Sequence, residues 1–112
     1  MRVTSYDQCI DSWSVQLLRS ECDEMERLNF HNNYWIGLDD NPRNSVEQYI
    51  LDSFDFYLSE EYPNAVGFEW WFHHFIEDDS MLGFHVDCDE HLRYQTGKMV
   101  TPLLSTVTYL TN

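Results

Sequence analysis

The chain has 112 residues, of which 43% are hydrophobic and 16% aromatic, so its composition is too apolar for a disordered segment. The length allows one small domain. Its net charge of −14 excludes nucleic acid and anionic membranes as partners, because 6 Lys and Arg cannot neutralise many phosphates.

The first residues contain no apolar core of a signal peptide, and no apolar run reaches the ~18 residues of a membrane span. The three cysteines, Cys9, Cys22 and Cys88, are an odd number without the spacing of a metal site, which predicts reduced thiols. We therefore expect an intracellular, cytoplasmic protein.

Residues 1–64 are predicted to form a helical support region. Apolar residues recur at spacings of three and four over 15–28, which predicts an amphipathic helix of roughly 14 residues, capped by Ser12 or Ser14. The apolar run 34–38 then predicts a strand or an extended segment, which ends in a turn at a proline.

A second amphipathic helix is predicted to begin at Ser45. Gln48 lies three residues later and completes a plausible capping box. Pro63 and Asn64 are predicted to stop this helix. Its apolar stripe comprises Val46, Tyr49, Ile50, Phe54, Tyr57 and Leu58.

Residues 65–112 are predicted to form strands of a partial jelly roll, in one domain with the helical region. The aromatic run 66–75 suits a pleated surface. Its even positions, Val66, Phe68, Trp70 and Phe72, predict an apolar face. Its odd positions, Glu69, Trp71 and His73, are more polar, and Glu69 and Trp71 are candidates for the floor of a cavity.

The most informative pair in the sequence is His85 and Asp87. They lie in the run Gly-Phe-His-Val-Asp-Cys-Asp-Glu, and residues two apart on a strand point to one face. The apolar neighbours at 82, 84 and 86 would occupy the opposite face. An imidazole and a carboxylate aimed at one point are two of the three ligands of a non-haem Fe(II) site.

Four segments together resemble the Fe(II)/2-oxoglutarate-dependent dioxygenases of the prolyl-hydroxylase-like kind. The most specific are the H-x-D-x-D-E run at His85 and the run P-L-L-S-T-V-T-Y-L over 102–110. The other two are Pro42-Arg43 with Glu47, and Gly-Phe-Glu-Trp-Trp over 67–71. The resemblance extends from about Trp35 to the C-terminus.

The resemblance implies an oxidoreductase in which His85 and Asp87 bind iron. It also implies that 2-oxoglutarate is the co-substrate, decarboxylated to succinate while a substrate C–H bond is hydroxylated. The family pattern continues with a second iron-binding His and a basic residue that pairs with 2-oxoglutarate, and neither has a counterpart here. The residue after Asp87, often basic in that family, is Cys88.

Other side chains are weaker candidates for this site. His73 and His91 are alternatives for the third iron ligand, although each is more typical of a partly exposed histidine. Lys98, the only lysine, is an alternative partner for 2-oxoglutarate. Hydrogen bonds to the co-substrate carboxylate are predicted from Tyr94, Thr106 and Thr108.

The fold class predicted is α+β, with two amphipathic helices packed on part of a double-stranded β-helix. Eight strands need on the order of 70 residues, whereas only 47 run from Val66 to Asn112. The last strand, 104–110, would have an unpaired apolar edge. We therefore expect a fragment that lacks a C-terminal half, or self-association through that edge, with little or no turnover by the chain alone.

The alternative class is a small acidic binding protein without enzymatic activity, either an interaction module or a mimic of DNA charge. In a DNA mimic the carboxylates would be spaced along one surface, and His85 would be dispensable. The acid pairs Asp39-Asp40, Glu60-Glu61 and Asp78-Asp79 fall at predicted turns, which favours ordinary solvated loops.

Overall fold

A computed structural model describes residue 5 and residues 10–28, 33–73 and 90–110. In chain order these contain α1 (Ser12–Arg27), β1 (Tyr34–Gly37), α2 (Ser45–Tyr57), β2 (Gly67–Trp70) and α3 (Glu90–Thr96). The predicted mixed class is confirmed at this level: within the described ranges the chain is a small α/β structure with a two-stranded antiparallel sheet.

Helix α1 forms where the apolar period predicts it, but its cap lies one residue earlier than expected. Asp11 is the N-cap, and its Oδ1 accepts a hydrogen bond from the Ser14 backbone N–H at 2.8 Å. The Ser14 hydroxyl also donates to Asp11 Oδ2 at 2.8 Å. The aspartate accepts from one orphan N–H of the first turn and its charge is favourable at the positive helix N-terminus, so Asp11 is the cap in place of the predicted Ser12 or Ser14.

Helix α2 begins at Ser45, but the predicted capping box of Ser45 and Gln48 is wrong, because the N-cap is Asn44. The Asn44 Oδ1 accepts from the backbone N–H of Glu47 at 2.9 Å. The helix ends at Tyr57, before the predicted stop. Both Leu58 and Ser59 donate their backbone N–H to the carbonyl of Phe54, at 2.9 and 3.0 Å, and this shared acceptor closes the last turn.

Strands β1 and β2 pair antiparallel, with Tyr34 opposite Trp70 and Gly37 opposite Gly67. The predicted strand over 66–75 is therefore shorter than expected, because β1 offers only four residues to pair with. The predicted alternation is confirmed where the strand exists: Trp70 is buried, Glu69 is exposed and Phe68 is half-buried. Val66, predicted on the apolar face, is 74% exposed because it precedes the strand.

The core of the described part lies between the two helices and the sheet. Its buried apolar residues are Leu18 of α1, Ile36 of β1, Phe54 of α2 and Trp70 of β2. The Phe54 ring meets Phe68 edge to face at a centroid distance of 5.2 Å. Helix α1 packs on α2. All four of these elements therefore contribute to one core, across the boundary at residue 65.

The third helix, α3, was not predicted, because its seven residues carry no apolar period. Gly97 ends it with φ of 73°, and the Gly97 N–H donates to the Arg93 carbonyl at 2.8 Å. A glycine in the left-handed region directly after a helix is a common way for the helix to end.

Residues 98–110 have no regular secondary structure, so the strand predicted over 104–110 is absent from the structure. A strand requires a hydrogen-bonded neighbour, and no described segment pairs with this one. Several of its apolar side chains are exposed, among them Val107 at 74% and Tyr109 at 78%. The described strands do not form a barrel.

None of the described helices combines the length and the apolar character that crossing a bilayer requires.

Candidate functional site

The predicted iron ligands, His85 and Asp87, lie outside the described residues, as does the neighbouring Cys88. Their convergence on a metal therefore stays a prediction. His91, the alternative third ligand, belongs to α3. His73, the other alternative, is exposed three residues after the end of β2.

The residues predicted to hold the 2-oxoglutarate carboxylate are described, and they lie on different segments. Tyr94 belongs to α3 and is 92% exposed. Thr106 is exposed, and the Thr108 hydroxyl lies 3.3 Å from the hydroxyl of Tyr49 on α2. Lys98 is exposed after Gly97. Thr108 is thus hydrogen-bonded to a side chain of α2.

The described part contains a buried carboxylate, Glu47 of α2, which accepts four hydrogen bonds. It is fully buried, and its Oε1 accepts from the backbone N–H and the Nε of Arg43, at 2.8 and 2.9 Å. Its Oε2 accepts from the other branch of the Arg43 guanidinium and from the indole Nε1 of Trp70, the latter at 2.8 Å. The Arg43 Nη2 also donates to the Trp35 carbonyl at 2.9 Å.

This arrangement determines the charge state of the carboxylate. The two hydrogen bonds from the Arg43 side chain, with smaller help from its backbone N–H and from Trp70, lower the pKa of Glu47 from 4.5 to about 2. Burial acts in the opposite direction and is overcome. The same ion pair raises the pKa of Arg43. The carboxylate is therefore ionised at neutral pH although it is buried.

Arg43, Glu47 and Trp70 come from two of the segments on which the family resemblance rests. Sequence reasoning did not predict the hydrogen bonds among them. Arg43 is 4 positions before Glu47, and Trp70 is 23 positions after it. The i,i+4 spacing of Arg43 and Glu47 was the available signal for the ion pair. The Trp70 contact had none, because it depends on the strand register. The network is a scaffold that fixes β1, α2 and β2 relative to one another.

The sheet has a second, outward face, which we call the outer face; it consists of Asn33, Trp35, Gly67, Glu69 and Trp71. Trp35 lies directly opposite Glu69 in the antiparallel register. Asn33 Nδ2 donates to Glu69 Oε1 at 2.8 Å. Trp71 follows β2 directly, and continuing the alternation of the strand by one residue would put it on the side of Glu69. Trp35 is 54% exposed and Trp71 is 48% exposed.

The position of the Trp35 indole depends on the absence of a side chain at Gly67. A Cβ on Gly67 would overlap the six-membered part of the Trp35 ring and lie 2.5 Å from the Ile36 carbonyl oxygen. The Trp35 ring therefore lies across Gly67, which is two residues before Glu69. Trp71 is two residues after Glu69. Sequence reasoning assigned Glu69 and Trp71 to a cavity floor, but in the structure both are on an open face.

Two of the predicted solvated acid pairs are described, and both lie in turns. Asp39 and Asp40 follow β1, Glu60 and Glu61 follow α2, and all four residues are exposed. One of them, Asp40, accepts a hydrogen bond at Oδ2 from the Gly37 backbone N–H at 2.8 Å. The predicted turn at 78–79 lies outside the described residues.

The described residues include no group of three or more His, Cys, Asp or Glu side chains arranged to hold a metal ion. Two open surface concavities, of about 220 and 250 Å³, are found at the end of α2 and on α1. The first is lined by residues between 55 and 61 and the second by residues between 16 and 23, so neither includes a residue predicted for the iron site.

Comparison of the chain with protein-family models, with curated proteins and with solved structures finds no match.

Proposed function

We propose that this chain carries the first two iron ligands, His85 and Asp87, of an Fe(II)/2-oxoglutarate-dependent oxygenase of the prolyl-hydroxylase-like kind. The observation that carries the proposal is the run His-Val-Asp-Cys-Asp-Glu, followed after a short interval by the charge-free, β-branched run over 102–110. A jelly-roll fold with β2 as one of its strands is the finer part of the same proposal.

The scaffold around Glu47 supports the proposal indirectly. Two segments of the resemblance, at Arg43 and at 67–71, are distant in the sequence, and they meet through the hydrogen bonds of Glu47 with Arg43 and Trp70. Motif segments that contact one another belong to one structural unit. A rigid base of this kind is what a metal site on neighbouring strands needs for its ligands to keep their geometry.

When bound, iron and 2-oxoglutarate would supply the oxidation of a substrate C–H bond. The chain's own part is narrower: the His85 imidazole would supply a neutral nitrogen and Asp87 a carboxylate oxygen as ligands to the metal. With two protein ligands, metal affinity should be weak, and we expect the 112-residue chain to show little or no turnover.

The test is anaerobic calorimetric titration of the chain with Fe(II) in the presence of 2-oxoglutarate. We expect weak binding that His85→Ala and Asp87→Asn each weaken by about tenfold or more, since loss of even an outer-shell partner has an effect of that order. His31→Ala and Asp78→Asn are matched controls that remove the same chemical groups from positions with no proposed ligand role, and they should bind like the unchanged chain.

Succinate formation from 2-oxoglutarate is followed in the same samples. We expect none above the level of the His85→Ala variant. Equal iron binding by all four variants would contradict the assignment of the ligands, and rapid succinate formation by the unchanged chain would contradict the predicted inactivity. An acidic binding protein without enzymatic activity, the alternative class, would bind iron in a way that is indifferent to His85.

A further inference from the structure

The outer face of the sheet has the features of a binding site for a cation. Two indoles, Trp35 and Trp71, are each about half exposed, at 54% and 48%. Glu69 lies between them: it is opposite Trp35 in the register and two residues before Trp71. An aromatic ring attracts a cation to its face, most strongly when the ring is tryptophan, and a carboxylate beside it adds a charge-assisted hydrogen bond.

The charge of Glu69 is available for a ligand. Within the described part of the chain its hydrogen-bond partner is the neutral amide of Asn33, which donates to Oε1 at 2.8 Å. That bond fixes the carboxylate on the outer face and does not neutralise it. Arg43 reaches the backbone carbonyl of Trp35, but its own charge is matched by the fully buried Glu47.

The position of Trp35 on the outer face depends on the backbone at Gly67 as well as on side chains. The Trp35 indole can lie across β2 because Gly67 has no Cβ, and any larger residue there would overlap the ring. A ring held over a strand by a glycine is restricted in its motion, so it loses little conformational entropy when a ligand stacks on it. Trp13, which is 70% exposed on α1, has no such arrangement and serves as a comparison.

The charge distribution of the chain favours a basic ligand. Residues 44–92 contain no Lys or Arg, and the whole chain has a net charge of −14. The resulting negative potential raises the local concentration of cations and opposes anions. A neutral apolar partner would cover the indoles but would leave Glu69 without a counter-charge in a desolvated interface, which is unfavourable.

We infer that the outer face binds an arginine side chain of a partner protein segment, stacked on the Trp35 indole and hydrogen-bonded to Glu69. Arginine fits better than lysine because its planar guanidinium stacks on a ring while its edge still presents N–H groups to a carboxylate. This site is independent of the proposed iron chemistry, and its test contains no metal.

The test uses nuclear magnetic resonance of the tryptophan indole N–H groups. The full chain is titrated with the peptide acetyl-Gly-Arg-Gly-amide at about 0.15 M salt, where diffuse attraction between separated charges is largely screened. We expect the signal of Trp35 to shift and saturate with a dissociation constant on the order of 1 mM. The signal of Trp13 should stay in place. The same peptide with citrulline, which is uncharged and similar in shape, should bind at least about fivefold more weakly.

The matched variants are Glu69→Gln and Glu61→Gln, which remove one negative charge each from exposed positions. Glu69→Gln keeps the acceptor for Asn33, so the fold should survive, and we expect it to bind the arginine peptide at least about threefold more weakly. Glu61→Gln should bind like the unchanged chain. The inference is overturned by equal binding of the two variants, by equal binding of the citrulline peptide, by shifts at Trp13 as large as those at Trp35, or by no shift at 20-fold the expected dissociation constant.

Discussion

Replacing Glu47 by Gln is expected to destabilise the fold strongly, although it changes the side chain by only one heavy atom. Glu47 is fully buried and accepts four hydrogen bonds, three from Arg43 and one from Trp70. Gln keeps one carbonyl oxygen, but its amide group would present N–H to the N–H donors of Arg43 or Trp70. At least one buried donor therefore loses its acceptor.

The structure sets the size of the effect. The difference between a carboxyl pKa of 4.5 and one of about 2 corresponds to about 3 kcal/mol of preference for the ionised form in the fold. The Arg43 side chain is 58% exposed, so water can solvate its guanidinium once the partner is lost. We therefore expect Glu47→Gln to lower the free energy of unfolding by about 2 to 3 kcal/mol.

The same argument predicts a dependence on pH. The pKa of Glu47 is lower in the folded chain than in the unfolded one, so its stabilising contribution is present in full above about pH 4.5 and is lost as the pH falls toward 2. The stability difference between the unchanged chain and Glu47→Gln should therefore be largest near pH 7 and should shrink by more than half at pH 3.

The assay is urea unfolding followed by tryptophan fluorescence at pH 7 and pH 3, because Trp70 is buried beside the carboxylate. Glu61→Gln is the matched control: it removes the same charge from an exposed turn and should stay within about 0.5 kcal/mol of the unchanged chain. If Glu47→Gln were as stable as Glu61→Gln, or if its deficit did not change with pH, the network would not be the electrostatic centre of the fold.

Three further substitutions and one labelling reaction test the packing of the described part. Trp70→Phe removes the indole N–H that donates to Glu47, and urea unfolding should show a loss of about 1 to 2 kcal/mol; no loss would mean that this bond is not formed. Gly67→Ala should lose about 1 to 3 kcal/mol, because its Cβ meets a backbone carbonyl at 2.5 Å. Gly37→Ala should lose less, because its Cβ meets the movable carboxylate of Asp40 at 2.9 Å, and the reverse order would contradict the register. Burial, followed by the nearby acids on α1, raises the pKa of the Cys22 thiol from 9.0 to about 11. Labelling of Cys22 by iodoacetamide near neutral pH should therefore be about a hundredfold slower in the folded chain than in urea when followed by peptide mass spectrometry, and equal rates would show that the thiol is exposed.

Local patterns predicted the elements whose determinants are close in the sequence. The apolar period of α1 and the start of α2 at Ser45 are both present in the structure. The caps differ by one residue, because Asp11 and Asn44 compete with the neighbouring serines and offer better acceptors to the first turn. No residue near Tyr57 signals the end of α2 as strongly as Pro63 does, although the helix ends at Tyr57.

Features that depend on distant partners could not be predicted in the same way. The pairing of Tyr34 with Trp70 limits β2 to four residues, and nothing in the run 66–75 indicates where its partner stops. The burial of Glu47 was not expected, because a glutamate in the first turn of a helix is ordinarily solvated. It is buried because Arg43 and Trp70 both reach it, and only the sheet register puts Trp70 there.

The measurement that tests the central claim most directly is the position of a bound metal on the chain. Mn²⁺ is paramagnetic, takes imidazole and carboxylate ligands as Fe(II) does, and broadens the amide signals of residues near it. We expect the broadening to centre on His85 and Asp87 and to disappear in His85→Ala, while His31→Ala keeps it. Broadening centred on the acid pair Glu60–Glu61, and unchanged in His85→Ala, would contradict the account.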